Sequence, residues 1–291
     1  MTGLPAVRDL AELVRLPAAL SVPGDAWSGA AWAGVSPARN AALMPCGSVL
    51  LYWSGMALND WADREVDAVE RPERVIPSGR VPAGTALVIA GALGAAGIAA
   101  TALVGGRQAL RISVPLAVLI ATYDVVAKDS PTGPLVMAST RGLDVLLGAA
   151  GAPGAAAPAA AVAVHTAGVT LLSRGEVHGA TPATAAAALA ATGTAIGVLV
   201  ASTLQDDVRT SHRFLAVAFA TLYAAAVGVP QARALAAPDA THARAATGAG
   251  IGGLTLLQAA WLAARGRILP AIVVGTAGPL LRRAARVVSP T

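Results

Sequence analysis

A single cysteine, Cys46, stands in 291 residues, so no disulfide can close within the chain and no cysteine-based metal site is available. Charge is scarce as well, at 13% Asp, Glu, Lys and Arg, where a soluble domain carries about 25%. Aromatic residues make up only 3%, which leaves few π-faces to cradle a buried cation. His165, His212 and His242 are isolated, with no His-x-x-x-His or His/Cys spacing of the kind that holds zinc. No Gly-x-Gly-x-x-Gly or P-loop pattern follows a strand, so nucleotide binding has no support. The net charge of +5 comes from arginines scattered between apolar segments rather than gathered in a patch, which argues against nucleic acid as a partner. Met1 to Leu10 carries Arg8 and Asp9 and lacks the apolar core of a cleavable signal. The first spanning segment is therefore expected to serve as its own insertion signal.

What is present is apolar: 55% of residues are hydrophobic and the mean hydropathy is +0.64. Ten stretches are long enough to span a bilayer or nearly so. They cover 13–36, 41–63, 84–105, 109–127, 134–151, 155–173, 183–203, 213–232, 245–264 and 268–285. Gly and Pro punctuate the joins, as at Pro131-Thr132-Gly133-Pro134 and Gly151-Ala152-Pro153-Gly154. Abundant Ala and Gly let membrane helices approach closely. The expected fold is all-α: a polytopic transmembrane helical bundle of about nine or ten helices, forming one domain over 1–291 with the lipid bilayer as its surroundings.

The basic residues orient this bundle. With the N-terminus inside and the sides alternating, Arg8, Arg15, Arg64, Arg71, Arg74, Arg80, Lys128, Arg174, Arg233, Arg244, Arg282, Arg283 and Arg286 fall inside. Arg39, Arg107, Arg111, Arg209, Arg213, Arg265 and Arg267 fall outside, and Arg141 is left within the membrane. The excess agrees with the positive-inside rule. It predicts a multi-pass cell-membrane protein with a cytoplasmic N-terminus. The joins after the second, fourth and sixth stretches then share the cytoplasmic face.

At the end of the second stretch the chain reads Asn59-Asp60-Trp61-Ala62-Asp63-Arg64-Glu65-Val66-Asp67. On a helix, Asn59, Asp60, Asp63 and Asp67 fall within one sector of roughly 100°. Oxygen ligands converging in this way repel one another unless a cation sits between them. Mg²⁺ takes such oxygen ligands, usually completed by waters and substrate phosphates. A solvated helix end with scattered acids is the plainer alternative, but it predicts scattered faces, and acids at a helix C-terminus oppose its dipole.

The pattern Asn-Asp-x-x-Asp-x-x-x-Asp resembles the first aspartate-rich motif of the UbiA superfamily of intramembrane prenyltransferases. That resemblance implies a helical bundle of typically nine spans and an isoprenoid diphosphate bound through Mg²⁺. It implies Asp60, Asp63 and Asp67 as metal ligands, direct or through water, with Asn59 orienting them. Arg64, Arg71, Arg74 and Arg80 in the following loop are candidate phosphate contacts, or ordinary positive-inside arginines. The family's second motif, Asp-x-x-x-Asp, is incomplete here. In its place stands Ser173-Arg174-Gly175-Glu176-Val177-His178-Gly179, with one carboxylate, Glu176, as the remaining metal ligand. Arg174 could supply part of the missing charge, with His178 beside it, although a guanidinium cannot reproduce metal coordination. Glu176 as a plain salt-bridge partner of Arg174 stays open. The segment is similar to the EboC-like branch of the superfamily.

Tyr123-Asp124-Val125-Val126-Ala127-Lys128 also looks like the family. Lys128 could pair with the diphosphate, with Asp124 one turn away, or be a snorkelling lysine. Arg141 and Asp144 share a face at i and i+3 inside the fifth stretch. They form either a structural ion pair or part of an acceptor pocket, where Arg141 would hold a polar acceptor and Asp144 take its proton. Asp206-Asp207 reads as a solvated pair.

The resemblance therefore implies an enzyme: a transferase of alkyl groups other than methyl, moving an isoprenoid from a prenyl diphosphate to a small-molecule acceptor with Mg²⁺-assisted loss of diphosphate. A UbiA-type terpene cyclase needing no acceptor is the alternative, and the scarcity of aromatics weighs against it. A transporter would call for internal repeats and broken helices at mid-membrane; no convincing repeat is evident, and the acidic motif lies at one interface. No obligate protein partner is readable.

Overall fold

The computed structural model describes residues 5–35, 43–205 and 208–288, the side chains of 279–288 excepted. Arg39, Asp206 and Asp207 lie outside the described residues, as do the side chains of Arg282, Arg283 and Arg286. Among the described residues the regular structure is helical, without strands.

The chain opens with a short helix α1 (Val7–Leu13), a 3-10 turn (Leu16–Ser21) and α2 (Pro23–Trp32). The single span expected over 13–36 is thus broken. Pro17 lies at the start of the 3-10 turn and Pro23 at the start of α2, where each ring is tolerated only at a first turn. The ten residues of α2 run about 15 Å, half of a ~30 Å hydrocarbon core. Next come α3 (Leu43–Ala62), α4 (Arg64–Glu70) and α5 (Ala83–Thr122), the last extended by a π-turn (Tyr123–Ala127). A straight helix of 40 residues would reach about 60 Å, twice the membrane core. Instead the chain reverses at Gly106 (φ 56°, ψ −141°), a conformation that glycine adopts without a Cβ clash. Both arms then line α3: Ser54 Oγ donates to the Ala90 carbonyl at 2.7 Å on the first arm, and Gly55 faces Ile120 on the second.

The rest follows as α6 (Gly133–Gly148), α7 (Ala156–Ser173), α8 (Pro182–Gln205), α9 (Thr210–Tyr223), a π-turn (Ala224–Gly228), α10 (Val229–Ala236), α11 (Ala240–Ala264) and α12 (Ile268–Val288). Among the described residues, Pro153–Ser173, Pro182–Gln205, Thr210–Ala236 and the run 83–127, which Gly106 breaks into two arms, are long and apolar enough to cross a membrane. The expected stretches from 41–63 onward match helices to within a few residues, and the reversal at Gly106 divides two of them.

The half-helix α2 sits at the centre, packed against α3, α6, α7, α11 and α12. Glycine makes this approach possible. A Cβ on Gly29 would stand 1.8 Å from the Val145 carbonyl oxygen, and one on Gly148 2.0 Å from the Ala26 carbonyl oxygen. With lipid tails as apolar as the side chains, such close backbone contact replaces the hydrophobic drive for helix association. Trp32 anchors the far end of α2: its Nε1 donates to the Trp261 carbonyl at 2.9 Å, the two rings meet edge-to-face at 4.8 Å, and the Arg265 guanidinium lies 4.0 Å above the Trp32 ring. Gly148→Val is therefore expected to destabilise the bundle by at least about 1–3 kcal/mol of overpacking. Thermal unfolding in detergent checks this against Gly193→Val, where an added Cβ meets nothing within 4 Å.

Candidate active site

The helical ladder runs almost unbroken from α3 into α4. Asp63 N–H bonds the Asn59 carbonyl at 2.9 Å and Asp67 N–H bonds the Asp63 carbonyl at 2.8 Å. This keeps the motif in i, i+4 register, so Asn59 Nδ2 donates to Asp63 Oδ2 at 3.2 Å. Asp60 and Asp67 are buried, and Asp63 is partly exposed.

Cations from three other segments neutralise these carboxylates. Arg74 Nη1 lies 3.1 Å from Asp60 Oδ1 and 2.9 Å from Asp67 Oδ2, a single positive nitrogen shared by two aspartates. Arg15 Nη2 reaches Asp60 Oδ1 at 3.0 Å and Asn59 Oδ1 at 3.2 Å. Lys128 pairs with Asp63, and Arg71 stands 3.8 Å from Asp67 Oδ1. Arg15 carried only a topological meaning in the sequence; nothing local marks it as a partner of the motif.

Among the described residues no three His, Cys, Asp or Glu side chains are gathered as a ready metal cage. The donor set nonetheless suits Mg²⁺, which binds through one or two carboxylates plus waters and substrate phosphates rather than an all-protein cage. The shared nitrogen of Arg74 marks a point where two aspartates already hold one positive charge.

The remaining candidates divide. Arg64 donates to Glu65 and to the Trp61 carbonyl and lies 4.8 Å over the Trp61 ring. Arg80 turns away from the acids of the motif to Asp9 and Glu12, both at 2.7 Å. Arg174 does not pair with Glu176; it donates to the Ser130 carbonyl and, at 3.5 Å, to the Lys128 carbonyl. Glu176 is instead approached by Arg244, which bonds its backbone oxygen at 3.1 Å. Burial pushes the Glu176 carboxyl above the usual carboxylate range, against the lowering charges of Arg244 and Arg71. His178 is exposed in the same turn. The ends of α3, α5 and α7 and the start of α11 thus meet on one face.

Beneath that face lies a cavity of about 90 Å³, lined by α3, the second arm of α5 and α6. Its lining runs along α3 from Met56 to Ser48, about 12 Å of helix. Tyr123 and Asp124 line it, as do Arg141 and Asp144. Gly55 keeps the Asp124 carboxylate close: an added Cβ would stand 3.5 Å from Asp124 Oδ2. Arg141 and Asp144 do not form the ion pair with each other that was one of the two expectations. Arg141 Nη2 binds Asp25 Oδ2 at 2.6 Å, and Asp144 takes the Ser48 hydroxyl. Asp25 is fully buried and also accepts from Gln258 Nε2 at 2.6 Å. The half-helix α2 brings Asp25 there, so the i, i+3 neighbours of α6 serve separate partners.

The sequence matches the model of the UbiA prenyltransferase family over residues 22–289, and the chain belongs to that family. It is 35% identical over 150 residues to a digeranylgeranylglyceryl phosphate synthase from Natronomonas pharaonis, covering 51% of this chain and 54% of that one. It is 43% identical over 61 residues to the bacteriochlorophyll synthase 33 kDa chain of Cereibacter sphaeroides, 20% of either chain. These matches span about half, or less, of the length of the curated relatives. The solved structure of a UbiA homolog from Aeropyrum pernix K1 covers 91% of this chain and 98% of its own at a TM-score of 0.66 and 21% identity. A UbiA homolog from Archaeoglobus fulgidus, solved bound to DMAPP and Mg²⁺, covers 85% and 99% at a TM-score of 0.62 and 13% identity.

The buried pair on α2 and α6 carries a stability prediction. Arg141→Met strands the Asp25 carboxylate and is expected to cost about 3–5 kcal/mol. The double variant Asp25→Asn/Arg141→Met should recover most of that loss in thermal unfolding.

Proposed function

We propose that this chain is an integral-membrane prenyltransferase that moves an isoprenoid from a prenyl diphosphate to a small acceptor. The observation carrying this reading is the acidic face itself: Asp60, Asp63 and Asp67 in helical register, held by cations and standing over a cavity. The metal would be Mg²⁺, with Asp60, Asp63, Asp67 and Glu176 as the carboxylates that would hold it. Bound there, it would draw off the negative charge that develops on the leaving diphosphate.

The chain's own residues do the rest. Lys128, Arg71 and Arg74 stand where they can turn from carboxylate to phosphate oxygens. The allylic C–O bond breaks, and the diphosphate leaves with both electrons. Leu51, Met56, Leu116, Ile120 and Met137 wall the cavity and keep water from the resulting cation. The acceptor's nucleophilic atom forms the new bond to the allylic carbon, and the acceptor loses a proton. Asp124 is the carboxylate placed to take that proton, because Gly55, beside it, is five residues from Asp60, about 7.5 Å along α3. Asp144 is bonded to Ser48, twelve residues from Asp60 and about 18 Å away; it and Arg141 form the deep polar floor. The positive-inside excess supports a cytoplasmic acidic face and N-terminus.

Purified protein in lipid nanodiscs, supplied with C5 to C20 prenyl diphosphates and a host-cell extract as acceptor source, is expected to release diphosphate only with Mg²⁺. Asp60→Ala and Asp63→Ala should each lower release by about 10²-fold or more. Asp124→Asn should slow transfer while leaving donor binding intact. Full turnover by Asp63→Ala would end this reading, and a hydrocarbon made without acceptor would replace transfer by cyclisation.

A further inference from the structure

Arg15 holds a backbone conformation, φ 47°, that residues other than glycine enter only where their surroundings hold them. The turn it makes between α1 and the 3-10 segment sends its guanidinium onto the motif, at 3.2 Å from Asn59 Oδ1 and 3.0 Å from Asp60 Oδ1. The same Asp60 oxygen is held at 3.1 Å by Arg74, whose nitrogen also takes Asp67. Two arginines from two segments outside the long helices therefore occupy the carboxylates that would bind metal.

Those two segments are joined to each other. Arg80, at the end of the 71–82 segment, donates to Asp9 and Glu12 of α1 at 2.7 to 2.8 Å and to the Glu73 carbonyl at 2.8 Å. Beneath this contact Leu13, Val75 and Val81 are buried with Ala57, Ala86 and Ala90. The N-terminal segment and the 71–82 segment form one cap over the acidic face, with Arg15 and Arg74 reaching down from it.

A metal ion arriving alone must displace these guanidinium groups and offers them nothing in return. A metal ion arriving with a diphosphate supplies phosphate oxygens, which guanidinium forks fit well. We propose that Arg15 is a donor-positioning residue: it is the counter-ion of Asp60 in the donor-free protein and a ligand of the diphosphate in the loaded one. Metal and diphosphate then bind cooperatively, and Arg15 carries part of that coupling. This inference rests on the prenyl-diphosphate reading.

The test uses the full chain in nanodiscs and two binding probes: Mn²⁺ alone, followed by electron paramagnetic resonance, and geranyl thiolodiphosphate with Mg²⁺, a donor that does not ionise readily. Arg15→Gln is expected to tighten Mn²⁺ binding about tenfold and weaken thiolodiphosphate binding about tenfold, each equivalent to roughly 1.4 kcal/mol. Arg15→Lys keeps the charge without the fork, so it should retain the wild-type Mn²⁺ affinity and recover part of the donor affinity. Arg15→Gln binding Mn²⁺ no more tightly than wild type, or binding both probes more weakly, would overturn the exchange and leave a structural role. If the wild-type protein binds neither probe, the prenyl-diphosphate reading itself fails and the exchange falls with it. If it binds both and Arg15→Gln does not alter them, the exchange alone is refuted.

Discussion

Carboxylates set at the end of an apolar helix need positive charge close by, and much of the acidic face of this protein answers that need. In a medium less polar than water the repulsion among Asp60, Asp63 and Asp67 is not screened away. Arg15, Arg74 and Lys128 come from three separate segments to relieve it. The positions of α1 and of the 71–82 segment follow from this requirement as much as from their small apolar cluster. A neutralised acidic face is also a poised one, because any ligand that brings its own cation and its own anion can take over both halves of the pairs.

Close packing supplies the second requirement. Small residues let α2 lie backbone against backbone on α6. Only that approach brings Asp25 to Arg141 and Gln258, so packing decides which charges meet. The broken N-terminal span, which looks like a defect in a helical bundle, is what inserts a carboxylate into the centre of the fold. It also leaves the 3-10 turn, and the Arg15 backbone ahead of it, facing the acidic motif.

The two halves of the candidate diphosphate site differ in character. The first motif offers three aspartates in register, while the second offers Glu176 beside Arg244 and Arg71. The second half of the site is thus more cationic than a paired-aspartate design would be. Negative charge on a bound phosphate would be met by guanidinium groups there, which suits phosphate geometry through planar, forked hydrogen bonding.

Helix positions after the first span and the shared face of Asn59, Asp60, Asp63 and Asp67 were legible because both are local. Hydropathy over twenty residues and a repeat of four depend only on the rise and twist of a helix. The break in the first span was not read, although Pro17 and Pro23 are the local signals that could have shown it. By contrast, Arg141 and Asp144 are three residues apart and share a cavity, yet one pairs with Asp25 and the other with Ser48. Arg15 looked like any positive-inside arginine and stands on Asp60. Sequence alone therefore determined the helical bundle, its family motif and the face that motif occupies. Tertiary structure alone decided which cation serves which carboxylate, because a buried ion pair is made where helices cross, and the crossing depends on small residues far apart in the chain.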